Sequence, residues 1–431
     1  MNLRKITLRY MGWCPGFKAA SQFLPNREIP LTQVAMMLAL VSMISLSGYY
    51  ITNMALSTVG FPSYGDISIT YDNPTLTVRE DEIYLAVIVN IGSPLDFGTR
   101  YALYLAKMSL EGRISDVVTL IDTPLLLNYD MIITKNGRFY LAYTQNVLVE
   151  VPKKLIVLQS NDGRDWDESV LVFPGYLREH SLTETKDGRP FLFIYYNERL
   201  KMSGDVDYPE SKYSFSTYSG EKWAPFEEYP FDFKLYCFSS ATDRDGNIRI
   251  TGLNLTYIKE TFLDYDNAYM ITGLDENGEW VEPRTLKIGD TYDVSIFIEP
   301  DLLYSAKRDG FYFAFVSHSP SSSRYTVHIR FSRDLVDWDD VVALQSGIDP
   351  SIAELPDGTI VAAFKHSAQE IHFSKSIDGI NWTKPQKVED IPLDDILGKV
   401  VSLRRSFVSS LSGAFLGICT LIVLVKKNSK S

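Results

Sequence analysis

Five of the six tryptophans in this 431-residue chain recur at a near-regular interval. Trp166, Trp223, Trp280 and Trp338 stand about 57 residues apart, and Trp382 follows after about 44. A period of this size means that one supersecondary unit is copied along the chain, because no such unit buries its apolar faces alone. Polar turn pairs keep the same beat: Asp81-Glu82, Asn136-Gly137, Asp187-Gly188, Asp245-Gly246, Asp309-Gly310 and Asp357-Gly358. Each is followed by an apolar, aromatic strand such as Phe139 to Tyr143, Phe191 to Tyr196 or Tyr312 to Val316. Asx-Gly supplies the positive φ of a hairpin turn, and two hairpins make a four-stranded unit.

A four-stranded blade has two apolar faces. Packing each on a neighbour around a central axis buries both and leaves only short edges. The sequence therefore predicts an all-β, six-bladed β-propeller over residues 60–402, with blades near 72–123, 124–175, 176–229, 230–285, 286–344 and 345–392. The strand-like Asp66 to Tyr71 is available to complete the ring. The 26 tyrosines and 23 phenylalanines suit flat inter-blade faces.

Both ends of the chain are predicted to cross a membrane. About 37 residues between Glu28 and Asp66 carry no charge, and a helix over 31–57, centred on Val34 to Met54, is long enough to span a bilayer. A second uncharged run, 406–425, ends at Lys426, Lys427 and Lys430. The leader 1–30 holds Arg4, Lys5, Arg9, Lys18 and Arg27, whereas no Lys or Arg follows the first run until Arg79. The positive-inside rule then puts the leader and the basic tail 426–431 in the cytoplasm and the propeller outside. The rival reading is a cleaved signal peptide ending at Ser45-Leu46-Ser47, which also exports the domain. Gly413 and Gly417 give the second helix a GxxxG spacing.

Cys14, Cys237 and Cys419 fall in three different segments, so no internal disulfide is expected. Two sequons, at Asn254 and Asn381, fit an external, glycosylated domain. A net charge of −12 speaks against nucleic acid as a partner. The expected partners are the lipid bilayer and a glycan or surface protein.

The tryptophans close a recognisable segment. Ser160-Asn161-Asp162-Gly163-Arg164-Asp165-Trp166 and Ser376-Ile377-Asp378-Gly379-Ile380-Asn381-Trp382 read Ser-x-Asp-Gly-x-x-Trp, and Ser332-Arg333-Asp334-Leu335-Val336-Asp337-Trp338 is a version without glycine. This resembles the Asp-box of sialidases and related bacterial-neuraminidase-repeat propellers. The resemblance implies a sialidase-type propeller in which Ser160, Asp162, Gly163, Trp166, Ser332, Asp334, Trp338, Ser376, Asp378, Gly379 and Trp382 are structural. The Asp bonds turn N–H groups, Gly takes the left-handed position, and Trp fills the space between strands.

Activity is another matter. Sialidases grip the sugar carboxylate with three arginines, the first in a Tyr/Phe-Arg-Ile-Pro sequence, and the matching segment here is Tyr71-Asp72-Asn73-Pro74. Arg178 is the one arginine near the start of an inner strand. A carboxylate-bearing ligand would meet a ring of carboxylates and be repelled.

The first residues of the inner strands line the mouth of such a propeller, so Asp72, Tyr129, Asp130, Arg178, Glu179, His180, Glu299, Asp301 and Asp349 are candidates for convergence. Asp130, Glu179, Glu299 and Asp349 are candidate acid and base residues for hydrolysis of an uncharged sugar, and the others candidate ligand contacts. The same oxygens suit a structural Ca²⁺, or simply cap strand ends. No cofactor is expected, and no Cys/His metal cluster, phosphate-binding glycine loop or GxSxG elbow is evident. Two function classes follow: a surface-displayed glycan-binding propeller, and a membrane-tethered glycoside hydrolase.

Overall fold

The computed structural model describes residues 68–92, 100–123, 126–146, 154–173, 175–197, 211–231, 235–254, 269–286, 299–319 and 324–393. Among these residues no helix is long and apolar enough to cross a membrane. The leader, both predicted spans and the tail lie outside them.

Six four-stranded antiparallel sheets follow one another along the chain, each a simple meander. Blade 1 comprises β1 (Ser68–Arg79), β2 (Glu82–Gly92), β3 (Arg100–Met108) and β4 (Ile114–Thr123), and blade 2 comprises β5 (Leu126–Ile133), β6 (Phe139–Asn146), β7 (Lys154–Ser160) and β8 (Asp167–Val172). Blade 3 holds β9 (Tyr176–Glu184), β10 (Pro190–Asn197), β11 (Ser211–Thr217) and β12 (Glu227–Glu228). Blade 4 holds β13 (Leu235–Thr242), β14 (Ile248–Asn254), β15 (Tyr269–Leu274) and β16 (Trp280–Thr285). Blade 5 is β17 (Asp301–Ser305), β18 (Gly310–Ser319), β19 (Arg324–Ser332) and β20 (Val342–Ser346), and blade 6 is β21 (Ile348–Glu354), β22 (Ile360–Ser367), β23 (Glu370–Ser376) and β24 (Gln386–Lys387).

The blade limits agree with those read from the repeat. All six polar turn pairs join the first strand of a blade to its second. The first strands contact one another in turn around the centre, so they form the inner wall. One detail differs. Ser68 to Tyr71 opens the inner strand of blade 1 and is not an added strand completing blade 6, so every blade is one continuous piece of chain. The ring is closed by hydrogen bonds instead: Tyr71 N–H donates to Ala368 O (2.8 Å) and Glu389 N–H to Gly112 O (2.9 Å).

The Ser-x-Asp segments join the third strand of a blade to the fourth, at its outer side. In blade 2, Asp162 Oδ1 accepts the N–H groups of Arg164 (2.8 Å) and Asp165 (3.0 Å), while Ser160 Oγ accepts from Gly163 N–H (2.9 Å). Asp334 repeats this with Val336 and Asp337, and Asp378 with Ile380 and Asn381. The tryptophans do more than fill the space between strands, because each plugs the seam to the preceding blade. Trp166 packs among Tyr84 and Leu103 of blade 1 and Phe139 of blade 2. Trp223, Trp280, Trp338 and Trp382 do the same at the next four seams. The period in tryptophan is thus a period in inter-blade packing, where aromatic burial is worth most.

Candidate functional site

Half of the central wall is built to hold the ring together. A single position on each inner strand, at the same spacing ahead of the turn glycine in blades 2, 3, 4 and 6, is occupied by Asp130, Ser181, Ser239 and Ser351; Asp301 plays the same part in blade 5. Asp130 Oδ2 accepts Leu182 N–H of the next blade at 2.7 Å, and Ser239 Oγ accepts Leu302 N–H at 3.1 Å. Asp301 Oδ2 accepts Ile352 N–H at 2.7 Å, and Ser351 Oγ accepts Leu76 N–H at 2.9 Å. Ser181 Oγ meets Ser240 Oγ at 2.7 Å. Buried strand-end N–H groups need such partners. Asp130 and Asp301 therefore do what serine does in other blades, which weighs against Asp130 as a catalytic group.

The seam residues themselves line a funnel of about 260 Å³, together with Tyr129, His180, Glu184, Glu299 and Asp349 and neighbouring threonines and apolar residues. No Lys or Arg is among its described lining residues. Tyr129 is buried, with its hydroxyl donating to Asn73 O at 2.5 Å. His180 is buried, its Nε2 lies 3.0 Å from Ala142 O, and burial lowers its pKa to about 4, so the ring is neutral.

Three sequence candidates fall elsewhere. Asp72 forms an ion pair with Lys365 and is not part of the funnel lining. Glu179 is buried behind the wall, accepting Cys237 N–H at 2.8 Å. Arg178 is exposed at a β-bulge and does not reach the funnel, so no arginine clamp forms there among the described residues. Asn254 ends β14. The Asn381 amide nitrogen donates to Asp378 Oδ2 at 2.6 Å, so it belongs to the outer turn.

The wall is bent where its chemistry sits. The pairing slips between Asp72 and Thr75, between Tyr236 and Ser239, and between Ile348 and Ser351. At these bulges Asn73 (φ 48°), Cys237 (φ 48°) and Asp349 (φ 51°) take left-handed backbone that non-glycine residues seldom adopt. Strain of this kind persists where the surroundings enforce it, and it commonly marks functional positions. Asp349 is the acidic residue among the three.

Burial raises every carboxyl at this centre. Glu299 is pushed up to about 8, by desolvation first and then by the charges of Asp349, Asp130 and Asp301. Asp349 rises to about 6 through desolvation, opposed by Lys365. Asp130 also rises to about 6, despite its backbone hydrogen bonds, because desolvation outweighs them. Glu179 is raised well above the usual carboxyl range by burial and by Glu299. At pH 7 Glu299 is thus mostly a neutral acid beside a mostly ionised Asp349, two carboxyls that their environment has pushed apart.

Outside the funnel, the described residues also bring His366, Glu370 and His372 together, with donor atoms within 4.8 Å of one another. The expectation of no metal-ligand cluster does not cover these residues: two histidines and a glutamate straddle the two-residue hairpin between β22 and β23, and only the fold brings them together.

No family model matches the chain, and no curated protein matches its sequence. Among solved structures, a protein of unknown function from Dyadobacter fermentans superposes with a TM-score of 0.53 at 12% identity, over 70% of this chain and 92% of that one. The six-bladed fucose-recognising lectin of the fungus Aleuria aurantia gives a TM-score of 0.45 at 12% identity, over 75% of this chain and 95% of the lectin. A GH43 endo-arabinanase from Bacillus licheniformis gives 0.37 at 15% identity, over 58% and 93%. Identities this low bear on fold alone, and the two lower scores carry no argument about chemistry. The fold and its centre define a six-bladed β-propeller with an acid-lined funnel free of cationic side chains in its described lining.

Proposed function

We infer that the propeller binds an uncharged glycan in its central funnel, displayed on the outside of a cell membrane by the two uncharged terminal runs. The observation that carries the reading is the lining itself. Carboxyl, hydroxyl and imidazole groups, without a Lys or Arg among the described lining residues, suit a hydroxyl-rich neutral ligand, whereas an anionic sugar would lose its water and gain no counter-charge from them. This is why sialidase chemistry is not proposed, although the outer turns are similar to those of sialidases. No cofactor is called for.

A second reading is favoured by a specific observation: Glu299 and Asp349 have the protonation states that hydrolysis of a glycosidic bond needs. Glu299 would protonate the leaving oxygen, and ionised Asp349 would act as base or nucleophile on the other side. No hydrogen bond ties up the Glu299 carboxyl among the described residues, in contrast to Asp130 and Asp301.

The full chain in membranes or detergent, offered neutral and sialylated oligosaccharides, separates these readings. Saturable binding of a neutral glycan, weakened by Asp349→Asn, is expected from the first. Release of neutral sugar that falls about 10²- to 10⁴-fold in Glu299→Gln establishes the second. Release of sialic acid, or no neutral glycan bound, overturns both. For the anchoring, protease added to intact cells is expected to remove the propeller, and a protected propeller reverses the orientation.

A further inference from the structure

We propose that His366, Glu370 and His372 form a divalent-cation site of the zinc type on the rim of blade 6, with Ser346 and Gln345 of blade 5 as its outer shell. The site is separate from the funnel and independent of any glycan reading. Its three ligands flank the short hairpin between β22 and β23. Phe364 pairs with His372 and Ser367 with Glu370, and the register slips between Lys365 and Ser367, so His366 is the bulged residue. Glu370 and His372 are two apart on one strand and share a face, and the bulge turns His366 toward them. The rings of His366 and His372 stack with centroids 4.2 Å apart.

The outer shell is what distinguishes this cluster from a surface ion pair. His366 Nδ1 lies 2.7 Å from Ser346 O. A carbonyl only accepts, so that nitrogen carries the proton and the ring's lone pair is left on Nε2. The Gln345 amide sits 2.6 Å from His372 Nδ1 and 3.2 Å from His366 Nδ1. Amide oxygen and nitrogen exchange by a simple flip. With its oxygen toward the rings, Gln345 accepts the Nδ1 proton of His372 and leaves that Nε2 as a lone pair too. Both imidazoles then present Nε2 donors fixed by outer acceptors, the arrangement that orients metal-bound histidine. Gln345 reaches this position because β20 is itself bulged, with the register slipping opposite Thr326 and His328.

Distances and charge agree. His372 Nε2 is 3.5 Å from Glu370 Oε2, close to the edge of about 3.3 Å in a tetrahedral zinc site. The three donor atoms, one from each residue, lie within 4.8 Å of one another. All three residues are half-buried, so an ion has access. Lys387 lies 4.0 Å from Glu370 but 2.9 Å from Asp390, so it has another carboxylate to turn to. Three protein ligands leave a fourth position for water, and the borderline nitrogen and oxygen set selects zinc-like ions over Ca²⁺.

The test uses the full chain in detergent, stripped with EDTA and titrated with Zn²⁺ against a chromophoric chelator, then with Co²⁺ read by its visible bands. One equivalent is expected, with the intense bands of a tetrahedral cobalt site. His372→Gln and Glu370→Gln should each weaken binding at least 10-fold, and Gln345→Ala about 10-fold through the outer shell. His318→Gln, which is not one of the clustered residues, should bind as the parent does. Unchanged tryptophan fluorescence certifies that each variant is folded. Metal bound equally by a His366→Gln/His372→Gln double variant, or no metal bound by the folded parent, overturns the site.

Discussion

Blade 2 carries two aspartates that look alike on paper and behave in opposite ways. Asp130, at the funnel, accepts two backbone N–H groups at 2.7 Å; Asp162, in the outer turn, accepts two at 2.8 and 3.0 Å. Yet Asp130 is raised to about 6, and Asp162 is held below the ordinary aspartate value. The donors are matched, so what differs is water. At the outer turn the carboxylate keeps its solvent and the hydrogen bonds add to it. At the centre the loss of solvent outweighs them. One residue type thus serves as a permanently ionised turn clamp on the outside and as a titrating group on the inside.

The largest effect should come from the outer region. Trp338 packs against Tyr269 and Ile271 of blade 4 and Phe313 of blade 5. Trp338→Ala empties that seam and is expected to destabilise by about 4 kcal/mol in denaturant melts. A loss below about 1 kcal/mol would show that the tryptophan period marks something other than inter-blade packing. At the inner region Asp301→Ala strands Ile352 N–H and should cost about 3 kcal/mol, the penalty for breaking a buried charged hydrogen bond. Asp301→Ser is expected to recover most of it, because Ser239 and Ser351 make the same junction in blades 4 and 6. If serine fares no better than alanine, the equivalence of these positions is wrong.

The outer region was more legible in the sequence than the inner one, for a physical reason. Tryptophan and Asx-Gly are rare and conformationally specific, so their recurrence at Trp166 to Trp382 and at five of the six turn pairs located the blades. The funnel is assembled from residues that strand order brings together, and a strand start says only that a side chain is near the mouth. Asp130, His180, Glu299, Asp301, Asp349 and Tyr129 do reach it, whereas Asp72, Arg178 and Glu179 sit on similar strand starts and do not. Bulges in their strands decide the matter, and no residue pattern announced them. Aligning the blades on their turn glycines would have shown that Asp130 shares its position with Ser181, Ser239 and Ser351. That comparison separates a junction role from a catalytic one.

The same contrast should be visible in stability against pH. Funnel carboxyls bind their proton more tightly in the folded state, so they make stability fall as pH rises between about pH 4 and 8, whereas buried His180 and His328, lowered to about 4, oppose them below about pH 6.5. With solvent in the funnel, a loss of about 1 kcal/mol from pH 6.5 to 8 is expected. Asp162, Asp334 and Asp378 act in the opposite sense. Their folded pKa is depressed, so their contribution is complete above the ordinary aspartate value of 3.8 and is lost as pH falls below it. Stability is therefore expected to decline above about pH 6.5 and again below about pH 4. Glu299→Gln should flatten the alkaline limb and leave the acid limb unchanged, whereas Asp378→Asn should do the reverse. Equal loss of both limbs in either variant would mean that the two regions are electrostatically coupled.

The smallest effect tests the outer turns against one another. Gly163 and Gly379 occupy the same place with φ of 76° and 75°, so alanine carries the same backbone penalty of about 1 kcal/mol at each. Their surroundings differ. A Cβ at Gly163 meets Leu105 and Phe139 at 3.4 Å, ordinary contact, whereas one at Gly379 falls 1.8 Å from Tyr312 Oη and 2.7 Å from Arg308 Nε. Arg308 donates to the carbonyls of Ile377 and Gly358 at 2.8 Å, so it is held in place and cannot simply swing away. Gly379→Ala should therefore destabilise more than Gly163→Ala, by about 1 kcal/mol beyond the shared penalty. Equal values would show that Tyr312 and Arg308 yield without cost, and that the seam between blades 5 and 6 is softer than the one between blades 1 and 2.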